Sequence, residues 1–203
     1  MSKLLLSATN YIKLYVNYVI IYLKSLVFYS SAMEIKIIRS KRRLRTVSAR
    51  LLKDLLLVKA PVMLSQERLE KIVDGFKLKF AREKLKEELG KEHNLLDLAG
   101  KLNKIYFGNK LRIESIEYVA NQDSKFGCCN YGSARIRISH KIGLMPEWVR
   151  KYVVIHEMAH LIEPNHGREF WGIVHRYKLA ERARGYLMAV GRGTNEGGLG
   201  CEK

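Results

Sequence analysis

Two hundred and three residues are enough for one or two small domains with a real core. Apolar residues make up 47% and charged residues 28%, which excludes a disordered chain, and three cysteines exclude a disulfide scaffold and fit a reducing compartment. The formal charge of +17, from 37 basic and 20 acidic residues, points to nucleic acid or anionic lipid as partner, or serves solubility alone.

Residues 1–33 stand apart from the rest: they hold no acid and three lysines, Lys3, Lys13 and Lys24. The uncharged run 14–23 is shorter than the ~20 residues of a spanning helix. On a helix, Lys13, Asn17, Lys24 and Ser31 fall within about 40° of one another, a narrow polar stripe that suits a helix lying in a membrane interface. Lys13 interrupts the apolar stretch and argues against a signal peptide. Met33-Glu-Ile-Lys-Ile-Ile begins like a compact domain, so residues 1–32 can equally be an upstream extension with little part in the fold.

Strands are predicted over 34–60, where Ile35, Ile37, Val47, Ala49 and Leu51 alternate with polar residues and Leu55–Val58 is a short apolar run. Eight basic residues and no acid lie within 35–53. From Ser65 the period becomes helical through Leu69, Ile72, Val73, Phe76, Phe80, Leu85 and Leu89, with Ser65 as cap and Gly90 as stop. Asn94 opens a second helix that closes near Gly108. Alternation returns over 110–119, a turn-rich stretch covers Asn121 to Gly132, and Ala134–Ser139 is another strand. Pro146 starts a helix reaching about Leu161, and Pro164 ends it. Asn165 caps a last helix that continues beyond Leu187. Residues 191–203 hold five of the 15 glycines and are expected to form a flexible tail.

The chemistry is carried by His156-Glu157-Met158-Ala159-His160 on the predicted helix. Side chains four apart share one helix face, so both imidazoles can reach one ion. Glu157 sits one step round, with its carboxylate beside the ion, where it can take a proton from water. Chance placement in this composition gives about 0.014 such motifs. Catalytic zinc takes three protein ligands. The candidates for the third are His166, Glu163, His175 and His140. His166 follows the Pro164 break, so the chain can fold it back. His175 lies half a turn out of phase with His166, Glu163 suits a solvated helix end, and His140 and His93 suit ordinary loop and surface positions.

This His156-Glu-Met-Ala-His160-Leu161 segment, followed by Asn165-His166 and Phe170-Trp171, resembles the YgjP-like (SprT-like) family of small zinc metallopeptidases. Phe126-Gly-Cys-Cys129 resembles that family's W-G-S-C segment, and Arg39-Ser-Lys-Arg-Arg with Thr46-Val-Ser48 and Ala60-Pro61 resembles its N-terminal part. Phe126 replaces the usual Trp, and Ser139 stands where Asn is expected; both bear on the shape of the cleft. The resemblance implies zinc held by His156, His160 and His166, with Glu157 as general base. It also implies a gluzincin-like core in which an edge strand lines the cleft and holds an extended peptide by main-chain hydrogen bonds. Ala134–Ser139 is the candidate strand, with Ala134, Ile136 and Ile138 as substrate-binding positions. Cys128 and Cys129 are expected to pack near the cleft, since adjacent cysteines rarely chelate one ion. For the oxyanion, Tyr131, Tyr152, His140 and Arg168 remain equal candidates.

The expected fold class is α+β. A small zincin-like core, with active-site helix, edge strand and C-terminal helix, follows an N-terminal β-hairpin and helix, all within 34–190. The expected function is a cytoplasmic zinc metallopeptidase acting on polypeptides. Two alternatives stand beside it: a basic, nucleic-acid-associated module acting on DNA-bound proteins through residues 36–53, and a non-catalytic zinc-containing binding module. Membrane association would run through residues 1–32.

Overall fold

A computed structural model describes residues 20–31, 33–122 and 124–190. The predicted interfacial segment lies mostly outside these residues, and the predicted tail 191–203 wholly so. Contacts divide the chain into two units, one of Leu23–Leu85 and one built from the residues on either side of it.

The first unit contains most of helix α1 (residues 20–31), strands β1 (Glu34–Ser40), β2 (Ser48–Leu52) and β3 (Leu55–Pro61), and the greater part of helix α2 (Gln66–Glu92). Alternate residues of a strand share a face. On β3, Leu56, Val58 and Ala60 are buried on one face with Leu69 and Val73 of α2, and Val47, Ala49, Leu51, Phe76 and Phe80 pack around them. The turn Lys53-Asp54 joins β2 to β3, with Lys53 in the left-handed region at φ 57°. The expected N-terminal β-hairpin is formed by β2 and β3. β1 does not pair with β2; it runs parallel to β3, Glu34 opposite Leu55 and Ser40 opposite Pro61, in the order β1-β3-β2. β3 is the most apolar of the three strands and takes the centre, where both of its edges are hydrogen-bonded. α2 begins directly after Ser65 and runs through the predicted stop at Gly90 to Glu92.

In the second unit, Asn94 caps α3 (Leu95–Tyr106), its side chain accepting from Asp97 N at 3.1 Å. Next come β4 (Ser115–Val119), β5 (Gly127–Asn130), β6 (Arg135–Ser139), α4 (His140–Gly143), α5 (Glu147–Ala159), α6 (Arg168–Val174) and α7 (Ala180–Val190). The predicted strand 110–119 is therefore shorter, and β5 lies inside the stretch expected to be turns. The last predicted helix is two: α6 stops at Val174, and α7 begins at Ala180. The cap role given to Asn165 falls to Gly167.

The sheet order β4-β6-β5 overturns the edge assignment for Ala134–Ser139. β6 is the central strand, parallel to β4 and antiparallel to β5, so both its main-chain edges are taken. Ala134 lies outside the strand at φ 51°. Ile136 and Ile138 are fully buried in the core. Two isoleucines at alternate positions signal one buried face, which a central strand provides as well as an edge strand does.

α5 is buried almost all round, from Tyr152 to Ala159, among α3, α6, α7 and β5. Among the described residues, no helix is long and apolar enough to cross a membrane.

Candidate metal centre

α5 brings His156 and His160 to one face, one helical turn apart. The helix then tightens: Leu161 N donates to Met158 O at 3.1 Å and Ile162 N to Ala159 O at 3.0 Å. Pro164 prevents continuation. The chain turns, with Gly167 N donating to Asn165 O at 2.8 Å, and His166 returns to the pair.

One ligand atom from each of His156, His160 and His166 lies within 4.8 Å of the others. The Nε2 atoms of His156 and His166 are 3.0 Å apart. Tetrahedral zinc with bonds of about 2.0–2.1 Å needs donors about 3.3 Å apart, so the spacing fits an ion of this size after small side-chain shifts. The donor chemistry fits as well. His160 Nδ1 lies 3.2 Å from Glu163 O, which fixes the ring, and its Nε2 is buried with no hydrogen-bond partner among the described residues. Burial, and then the neighbouring His166, lower His160 to about 4, which keeps it neutral and able to bind a metal.

Glu157, next to His156 on α5, is fully buried, and neither carboxylate oxygen has a hydrogen-bond partner among the described residues. Burial pushes it up to about 8, and the charge of Lys125 works weakly against that shift. β5 lies against it. A Cβ placed on Gly127 would stand 2.7 Å from both Glu157 Cδ and Cγ, and closer still to Oε1. Only glycine lets the strand come this near the carboxylate.

Phe170 underlies all three histidines. Its ring centre lies 4.8 Å from that of His156, 4.5 Å from His160, in a stacked arrangement, and 4.6 Å from His166. Trp171 flanks the group at 6.0 Å from His156 and 5.8 Å from His166. Sequence reasoning used Phe170 and Gly127 only as parts of a resemblance.

The other predicted residues lie elsewhere. His175 Nε2 pairs with Glu181 Oε1 at 2.8 Å, and Glu163 Oε1 accepts from Asn165 N at 3.2 Å. His140 is not a loop residue: it opens α4 fully buried, with Nδ1 3.2 Å from Val119 O and Nε2 3.3 Å from Tyr22 Oη. Of the oxyanion candidates, Tyr152 lies in the core with its ring centre 5.9 Å from that of His156, and burial raises it to about 12. Tyr131 and Arg168 are exposed. Cys129 packs behind the carboxylate, raised to about 12 by burial and then by Glu157.

No curated protein and no solved structure matches the chain. The YgjP-like family, described as "YgjP-like, metallopeptidase domain", matches residues 23–180, most of the chain, including all three histidines, Glu157, Gly127 and Phe170. By that match and the histidine cluster it encloses, the chain belongs to the YgjP-like family and carries its metallopeptidase domain.

Proposed function

We propose that the chain is a zinc-dependent peptidase, with His156, His160 and His166 as ligands and Glu157 as general base. The observation that carries this reading is the pairing of three convergent histidine donors with a buried carboxylate that has no hydrogen-bond partner among the described residues. A purely structural site has no use for such a group, because burying a carboxylate without partners lowers stability. Zinc in this position would polarise the scissile carbonyl and make water more acidic. Glu157 then accepts the proton from that water and delivers it to the leaving amine. Its raised affinity for protons suits both halves of the task.

The role expected of β6 passes to β5. Ser139 N donates to Phe126 O at 2.9 Å, which makes Cys128 and Arg137 a hydrogen-bonded pair and turns the N–H and C=O of Gly127 and Cys129 away from β6. Gly127 and Cys129 are themselves buried, so in the proposed mode an extended substrate reaches these groups beside Glu157 only by displacing what covers them. Proteolysis of an unfolded protein by wild type and Glu157→Gln, with zinc measured in both, tests the reading. Retained zinc with activity lost supports it. Equal activity in the two proteins, or wild type without zinc, refutes it.

A further inference from the structure

Two loops at one end of the N-terminal sheet carry the most exposed large apolar side chains among the described residues, Met63 at 93% and Leu44 at 84%. The strand register brings these loops together. Ser40, which closes β1, lies opposite Pro61, which closes β3, so segments 41–47 and 62–64 leave the same end of the sheet. Arg39 ties them: Nη1 donates to Pro61 O at 3.0 Å and to Leu64 O at 2.5 Å, and Nη2 to Gln66 Oε1 at 3.1 Å.

Cations surround this tip. Lys41, Arg42, Arg43 and Arg45 lie in the first loop, with Leu44 between two arginines. On the outer face of the sheet, opposite Leu56 and Val58, the cross-strand row Lys36–Leu57–Arg50 lies next to the row Ile38–Lys59–Ser48. None of these seven cations has an ion-pair partner among the described residues. Leu44 and Met63 are absent from the core cluster of this sheet and the residues packed against it.

Solubility accounts for the cations alone, not for two aliphatic side chains exposed to water at the same end of the sheet. Nucleic acid would use rings to stack bases, and residues 34–64 contain no Phe, Tyr or Trp. Aliphatic tips next to a cluster of cations match a bilayer with anionic headgroups, where the chains enter the acyl boundary and the cations face phosphate. We propose that this end of the N-terminal sheet docks on an anionic membrane surface, through Leu44 and Met63 and the cations Lys41, Arg42, Arg43 and Arg45. The docking residues belong to the unit Leu23–Leu85 and the three histidines to the other, and the proposal does not depend on what the metal centre does.

The test uses the full chain in vesicle flotation, with phosphatidylcholine alone and with roughly a third phosphatidylglycerol, across a salt series. Wild type should float with the anionic vesicles only, and less as salt rises. Leu44→Ser/Met63→Ser should bind them at least about tenfold more weakly with the salt slope kept, because only apolar insertion is lost. Arg42→Glu/Arg43→Glu/Arg45→Glu should lose the preference for anionic lipid. Arg42, Leu44, Arg45 and Met63 are exposed and Arg43 is half-buried, and unchanged melting confirms folding. Equal binding by wild type and Leu44→Ser/Met63→Ser overturns the proposal, since another segment or charge alone then explains attachment. So does a wild type that ignores both vesicles while binding an oligonucleotide or an acidic peptide.

Discussion

Gly127→Ala probes the contact on which the proposed chemistry depends. The added Cβ would sit 2.7 Å from Glu157 Cδ and Cγ, whereas ordinary contact begins at 3.4 Å, so one side must yield by about 0.7 Å. β5 is held by its ladder to β6, and α5 is buried around Glu157, so the carboxylate is the part able to move. Gly127 is not in the left-handed region, and the effect is therefore steric rather than conformational. Overpacking of this kind costs about 1–3 kcal/mol of stability. A misplacement near 1 Å in a catalytic group lowers turnover about a hundredfold. The atoms nearest the added Cβ all belong to Glu157 and none to the three histidines, so zinc content should stay at the wild-type value. The assay compares peptide hydrolysis, metal content and thermal unfolding for wild type, Gly127→Ala and Glu157→Gln. Wild-type turnover in a folded Gly127→Ala protein would refute the argument. Loss of zinc from it would also refute the argument, because the strand would then be supporting the metal rather than the base.

His156→Ala and His160→Ala should each abolish stoichiometric zinc binding and lower the melting temperature, as should a chelator, with recovery when zinc returns; metal analysis and calorimetry check both. Phe170→Ala removes the ring shared by the histidines and should cost about 3–5 kcal/mol of stability and about 10–100-fold in zinc affinity, while Phe170→Leu retains more of each; competition with a chromophoric chelator measures the affinity. In metal-free protein, Glu157 has its proton affinity raised from 4.5 to about 8 on folding. A raised carboxyl favours the folded state below 4.5 and loses that advantage as pH climbs to about 8, a few kcal/mol in total. His160, lowered from 6.5 to about 4, has the opposite sign and loses stability as pH falls through that window. Chelated wild type should therefore become less stable from pH 6.5 to 8, and Glu157→Gln should flatten that slope; denaturant melts across this range decide it.

The active-site helix was legible because its pattern is local: two histidines at the same phase, an apolar surround, and prolines at both ends. The Asn94 cap was legible for the same reason. β5 was not, because Gly-Cys-Cys-Asn shows no alternation and owes its strand conformation to pairing with β6. Strand order is likewise not local, and Ile136 and Ile138 look the same in a central strand as in an edge. The break between α6 and α7 falls at residues 175–179, where no Gly or Pro marks it, while Gly90 and Gly172, which look like interruptions, sit inside helices. His140 could not be placed because its ring partners, Val119 and Tyr22, lie 21 and 118 positions away and meet it only in the fold.

The parallel pairing of β1 with β3 also sets the order in which the chain can fold. β2 and β3 close through two residues, but Ile35 must wait for Leu56, 21 positions later. During synthesis β1 emerges first and stays without its partner while the intervening residues follow. In that interval Ile35, Ile37 and Ile38 form an apolar strand open to pairing with any neighbour. Lys36 and Arg39 within the strand, and the cations that follow it, make two such nascent strands repel each other. Part of the positive charge of the chain thus guards a strand against its own copies until its partner has been made.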